Sequence, residues 1–292
     1  MLATPELRSE CLIEALPYIQ KYRGQTFVIK YGGSAMEDDH IVEKFLRDVV
    51  FLEAVGINPV LVHGGGKAIT ARMKDAGLKA HFIEGLRATN ATAIGIVEST
   101  LDKEINPSIV STIKEFGGHA KGISGKDVFI ARQLHKQAVF DGEVVEIGFV
   151  GEAQEVNAKL VRDALSHEIV PVISPIGATP DGIVLNINAD IAAAALAAEL
   201  KAAKLIYVTD VSGIMRDASD RASLIPSVTA KQVKSLIQQK IIAGGMIPKV
   251  LSAISAMERG VEKIHMIGGH TLHCLLLEIF TNAGIGTEIL PD

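Results

Sequence analysis

Thr26-Phe27-Val28-Ile29-Lys30-Tyr31-Gly32-Gly33 is a β-branched and aromatic run that stops on two glycines. Six such residues make one strand, and the glycines mark the turn that ends it. The pattern recurs at Asn58-Pro59-Val60-Leu61-Val62-His63, which runs into Gly64-Gly65-Gly66. Further short apolar runs occupy residues 169–174, 205–209 and 263–267. Helical periodicity covers residues 41–55, 67–76, 157–166 and 190–203, between those runs. Short apolar strands alternating with helices predict a mostly parallel sheet covered on both faces.

Around residues 127–150 the texture changes to polar and apolar alternation with Gly142 and Gly148, which predicts antiparallel hairpins. The chain shows no internal repeat and no low-complexity linker, so one sheet with two lobes dividing near residue 175 is expected. Ahead of the first strand, Thr4 as N-cap, Pro5 and Glu6 signal a helix start. Leu7, Cys11, Leu12, Ala15, Leu16 and Ile19 fall on one apolar stripe of that helix, and Pro17 should kink or break it. The stripe fits a helix packed on its own subunit as well as one packed on another.

The 292 residues are 48% hydrophobic and carry a formal net charge of −5, enough for a large core and unlike a nucleic-acid or anionic-membrane surface. No apolar stretch reaches the length of a membrane span, and residues 191–200, rich in alanine with Glu199, read as a buried helix. The first ten residues lack the blocks of a signal peptide. Only Cys11 and Cys274 are present, which fits a reduced, cytoplasmic compartment, with one long-range disulfide left open.

In open parallel sheets ligands bind at the carboxyl ends of strands, and both glycine turns lie there. Without side chains, their backbone N–H groups can approach an anion, and the second turn adds a helix N-terminus. Lys30 brings an ammonium to the same place. Two anion cradles and a lysine suggest a phosphoryl group in transit, whereas one turn alone is more simply a tight connection. G-x-G-x-x-G fails because residue 69 is isoleucine, and the P-loop and protein-kinase patterns are absent. In Asn186-Ile187-Asn188-Ala189-Asp190, alternation would put the three polar side chains on one side of an extended segment, although Asp190 also suits a helix cap. Gly244-Gly245-Met246-Ile247-Pro248-Lys249 offers a second lysine after a flexible turn. Phosphoryl transfer needs cations around the migrating group and an anion to fix them.

These segments, together with Val62 to Gly66, Gly85-Leu86-Arg87-Ala88-Thr89 and Thr209 to Ile214, resemble the N-acetylglutamate kinase family of amino acid kinases. They occur in family order. The resemblance implies a three-layer αβα sandwich around a central, mostly parallel eight-stranded sheet. It divides the chain into an oligomerisation helix (1–25), an N-lobe for N-acetylglutamate and dimerisation (26–175), and a C-lobe for ATP and arginine (176–292). It implies transfer of the ATP γ-phosphoryl group to the side-chain carboxylate of N-acetyl-L-glutamate, the second step of arginine biosynthesis. Mg²⁺ would be held mainly by ATP. By residue, Lys30 and Lys249 would flank the phosphoryl group and Asp190 would hold both. The N–H groups of Gly33 and Gly65 would bond its oxygens. Gly65, Gly66, Arg87 and Asn186 would bind the substrate, and Thr209, Asp210, Gly213, Met215, Gly245 and Met246 the nucleotide.

The amino-terminal helix and residues 265–287 match the arginine-inhibited branch of that family. There the resemblance implies a homohexamer, a trimer of dimers joined by interlaced helices, with His265, Glu278, Gly284 and Gly286 lining an arginine site. Some members also bind a trimeric nitrogen-signalling protein of the PII class. The alternatives are another amino acid kinase with a different carboxylate substrate, and a non-catalytic arginine sensor. Retention of Lys30, Asp190 and Lys249 together weighs against the sensor.

Overall fold

A computed structural model describes residues 4–140, 142–217 and 220–292. Residues 1–3 of the expected amino-terminal element and Asp141 in the expected hairpin region lie outside the described residues. Helix α1 (Pro5–Tyr22) leads into β1 (Thr26–Tyr31), α2 (Asp39–Ala54), β2 (Asn58–His63) and α3 (Gly66–Asp75). A short hairpin of β3 (Phe82–Ile83) and β4 (Leu86–Arg87) follows, then α4 (Ala91–Ser99), a π-helical turn (Thr100–Ile105), α5 (Asn106–Glu115) and β5 (Ala120–Ile123). Next come β6 (Phe129–Gln133), β7 (Gln137–Phe140), β8 (Glu143–Glu146) and β9 (Val150–Val156). They are followed by α6 (Lys159–Ser166), β10 (Val170–Ile173), β11 (Ile176–Ala178), β12 (Val184–Ile187) and α7 (Ala189–Leu200). The chain closes with β13 (Lys204–Thr209), β14 (Ser227–Thr229), α8 (Ala230–Gln238), α9 (Met246–Glu258), β15 (Lys263–Gly268), α10 (Cys274–Ile279) and β16 (Thr287–Leu290).

Eight strands form the central sheet in the order β14-β16-β15-β13-β1-β2-β10-β5. The six from β15 to β5 are parallel, and β16 reverses direction against β15. Side-chain alternation sends Val28, Val60, Val62, Leu205 and Tyr207 to one face, against the alanines of α7 and Val250 of α9. Phe27, Ile29, Tyr31, Leu61 and Ile206 point the other way, onto Phe45, Leu46 and Val49 of α2 and Ile109 and Ile113 of α5. The result is the expected αβα sandwich, because strands apolar on both faces must be covered on both. The antiparallel expectation for residues 127–150 also holds. β7 and β8 pair as a hairpin, while β6, β9, β11 and β12 close into a small four-stranded sheet.

The first helix runs unbroken and leaves much of its stripe uncovered. Pro17 does not break it: α1 continues through the proline, whose missing N–H removes only the bond to the carbonyl of Ile13. Nor does the whole apolar stripe meet this chain. Tyr18 sets its ring edge-on to Phe280, and Tyr22 is buried against Phe27, but Leu7, Cys11, Leu12 and Leu16 are exposed. Among the described residues no other element of this chain covers those side chains. Cys11 and Cys274 are both free thiols, one exposed and one buried, so the disulfide left open by the sequence is not formed. No helix among the described residues is long and apolar enough to cross a membrane.

Candidate active site

β1 and β2 end side by side, and the Gly64 N–H donates to the Tyr31 carbonyl at 2.6 Å, tying the two glycine turns together. Both turns therefore open at the carboxyl edge of the sheet. Lys30, one residue from the end of β1, takes the same face as Val28, the face that α7 covers. Asp190 sits in the first turn of α7 and meets it there: Lys30 Nζ lies 3.1 Å from Asp190 Oδ1. From the other side Lys249 of α9 donates to Asp190 Oδ2 at 2.6 Å. Burial alone would raise the Asp190 carboxyl, but the two ammoniums outweigh it and hold the group below the ordinary aspartate value. The carboxylate thus stays ionised and keeps two cations a few ångströms apart.

Asp190 does not cap its own helix. Asn188 does, its side-chain oxygen accepting from the N–H groups of Asp190 and Ile191 at 2.8 and 3.3 Å. The alternation expected through residues 186–190 consequently ends at Ile187, the last residue of β12. Asn186, Asn188 and Asp190 still converge on one cavity, because the strand-to-helix turn aims the last two at it.

That cavity, about 280 Å³, is lined by Lys30, Gly33, Gly65, Gly66, Arg87, Asn186, Asp190 and Lys249. Arg87 is nearly buried, and burial lowers its pKa. Its Nη2 donates to the Gly66 carbonyl at 2.7 Å and the Thr70 hydroxyl at 2.8 Å, and its guanidinium lies 4.7 Å over the Phe82 ring. At Gly65 a Cβ would stand 2.6 Å from Leu101 Cδ2 and 2.8 Å from Ile105 Cδ1, so a side chain there would require those two methyls to shift. Gly33 has φ +68°, and a Cβ there would stand 2.3 Å from Asp210 Oδ1.

A second cavity of about 550 Å³ adjoins the first. Thr209, Asp210, Gly213, Met215, Gly245 and Met246 all line it. Gly85, Asn188, Asp190 and Lys249 line both spaces, so the two meet at the carboxylate and one of its lysines. Among the described residues no group of three or more His, Cys, Asp or Glu side chains could hold a metal ion.

His265, Glu278, Gly284 and Gly286 come together elsewhere. Glu278 Oε1 faces His265 Nδ1 at 2.6 Å, and Oε2 accepts from the N–H groups of Ile285 and Gly286 at 2.7 and 3.1 Å. Gly284 is tied into the same loop through the Thr281 hydroxyl. Burial works to raise the Glu278 carboxyl, but these donors hold it lowered. Lys204, assigned no role from sequence, lies 2.7 Å from His265 Nε2, and burial pushes its ammonium down to about 8. No local pattern marks it, because a lysine opening a strand usually faces water. Asn188 and Leu101 were missed too. Asn188 lay inside a quoted motif without a role, whereas Leu101 sits in a π-helical turn that leaves no sequence signal.

Residues 25–268 match the model of the amino acid kinase family. An acetylglutamate kinase from Akkermansia muciniphila is 49% identical over 287 residues, covering 98% of this chain and 96% of that one. Another from Aquifex aeolicus is 45% identical, covering 97% of each. Among solved structures, N-acetylglutamate synthase from Neisseria gonorrhoeae complexed with coenzyme A and N-acetyl-glutamate superposes with a TM-score of 0.84 at 27% identity. That match covers 97% of this chain, which spans 63% of the synthase chain. The synthase complexed with coenzyme A and L-arginine gives a TM-score of 0.79 at 27% identity, covering 97% of this chain and 65% of that one. Similarity along almost the full length of both chains, together with the family model, shows that this chain is an enzyme belonging to the acetylglutamate kinases of the amino acid kinase family.

Proposed function

We propose that the protein transfers the γ-phosphoryl group of Mg·ATP to the side-chain carboxylate of N-acetyl-L-glutamate, giving N-acetyl-L-glutamyl 5-phosphate and ADP. The observation that carries this reading is Asp190 bridging Lys30 and Lys249 where a small cavity meets a larger one. The larger space, in the C-lobe, takes the nucleotide, and the smaller one takes the acyl amino acid. A carboxylate oxygen attacks the γ-phosphorus, the bond to the ADP oxygen breaks, and no proton moves. The nucleophile is already ionised at neutral pH, so alignment and charge stabilisation suffice. Lys30 and Lys249 neutralise the equatorial oxygens, and the N–H groups of Gly33 and Gly65 complete the cradle. Arg87 grips the α-carboxylate, with Gly66 and Asn186 closing the pocket. Magnesium brought in with the nucleotide would supply further neutralisation of phosphate charge, beside the two lysines.

We further propose that the enzyme acts in the cytoplasm as a hexamer inhibited by arginine. The exposed Leu7, Leu12, Ile13 and Leu16 of α1 support a helix that pairs with its copy in another subunit. The buried Glu278 carboxylate supports a site for a cationic ligand, and the related synthase has been crystallised with L-arginine.

The test is ADP release by the purified protein with Mg·ATP and N-acetyl-L-glutamate, with and without arginine. Turnover that requires the N-acetyl group and falls with arginine is expected. Turnover insensitive to arginine would leave the reaction and remove the regulation. No turnover beside an active control enzyme would direct attention to other carboxylate substrates.

A further inference from the structure

His63 ends β2 directly before the glycine turn and is completely buried. Its Nδ1 lies 2.8 Å from the carbonyl oxygen of Gly64. A carbonyl can only accept, so Nδ1 carries the proton and Nε2 is left as an acceptor. Nε2 faces the Asn106 amide nitrogen at 3.3 Å, and that nitrogen also donates to the Val172 carbonyl at 2.8 Å. The three contacts agree on one tautomer and one amide orientation. Burial pushes the imidazole down to about 4, so it is neutral at physiological pH.

We infer that His63 is a positioning residue, which aims the Gly65 N–H at the transferring phosphoryl group by holding the Gly64 carbonyl on the opposite side of the same peptide. The inference rests on the proposed phosphoryl transfer. In a trans peptide the carbonyl and the following N–H point in opposite directions within one plane. Fixing the Gly64 oxygen toward the protein interior therefore turns the Gly65 N–H away from it, toward the cavity that Gly65 lines. The Gly64 N–H is also tied, to Tyr31, so Gly64 is held at both ends. The π-helical turn flanks the same glycine: Leu101 and Ile105 leave no free room for a Cβ at Gly65, and Asn106 directly follows the turn. A glycine-rich turn has little conformational preference of its own, and a donor that swings by tens of degrees loses most of its value in the transition state.

The experiment compares His63→Asn, His63→Gln and His63→Leu in the full-length enzyme by kcat, by KM for both substrates and by thermal melting. Asn can place an amide N–H near the Nδ1 position, whereas Gln reaches the Nε2 position and Leu donates nothing. Folded Gln and Leu variants are expected to lose roughly 10- to 100-fold in kcat with each KM within about threefold, and Asn to restore most of the loss. If Leu does not fold, the Asn-to-Gln ratio still decides. Folded His63→Gln with wild-type kcat, or losses that track melting temperature and KM alike, would overturn the inference while leaving the proposed reaction intact. Failure of the wild-type enzyme to phosphorylate any amino acid carboxylate would instead remove the reading on which it rests.

Discussion

Lys249 Nζ stands 2.6 Å from Asp190 Oδ2, and this contact joins helix α9 to helix α7 across the mouth between the two cavities. With Lys30 on the other carboxylate oxygen, Asp190 keeps two ammoniums together that would otherwise repel each other. Asp190→Asn keeps the shape and removes the charge. It should lower kcat by about 10²-fold or more, since both donors lose their anchor at once. It should also lower the melting temperature, because two poorly solvated cations are left facing each other. Steady-state kinetics with differential scanning calorimetry checks both, and an Asn variant with wild-type kcat would remove Asp190 from the mechanism.

Lys249→Ala should also cost about 10²-fold in kcat, roughly 3 kcal/mol of transition-state stabilisation. The losses from Lys249→Ala and Asp190→Asn should not add, because one acts through the other. The double variant, assayed beside the singles, tests that coupling.

Arg87 is expected to act on affinity more than on turnover. Arg87→Met should raise KM for N-acetylglutamate roughly 10- to 100-fold, the range of a lost charge-assisted bond, with KM for ATP little changed. Arg87→Lys should recover only part of this, because an ammonium cannot reproduce the planar contacts to Gly66, Thr70 and the Phe82 ring.

Removing residues 1–16 should leave the catalytic body folded, since Tyr18 and Tyr22 keep their packing on Phe280 and Phe27. Light scattering should then report a dimer in place of a hexamer, and arginine should inhibit weakly. Glu278→Gln in the full-length protein should likewise raise the inhibitory arginine concentration about tenfold or more, with kcat retained. Undiminished inhibition in the truncated dimer would separate the helix from the effector response.

Acid should weaken the fold through His63. Its folded pKa is about 4 against an unfolded value near 6.5, so the unfolded chain takes up a proton that the folded chain refuses. The contribution is full above pH 6.5 and disappears as pH falls toward 4, reaching about 3 kcal/mol at most. Urea unfolding at several pH values should show a shallower slope over this window in His63→Asn than in the parent. Equal slopes would show that other groups dominate.

The sequence alone was sufficient for the strands that are apolar on both faces. The runs at residues 26–31 and 58–63 coincide with β1 and β2, because strand length and glycine stops are local properties. It also singled out some of the residues that line the two cavities, among them Lys30, Asp190 and Lys249, because these stand beside a strand end or a glycine turn. Only the tertiary structure decided that β16 runs against its neighbour, that α1 leaves four of the six residues of its apolar stripe open, and that Lys204 lies beside His265. It alone placed Asn106 under His63 and made Asn188, not Asp190, the cap of α7. The division follows from range. A side chain's periodicity is written in its neighbours along the chain, but its partners 43 residues away, as for His63 and Asn106, are chosen by how the layers pack.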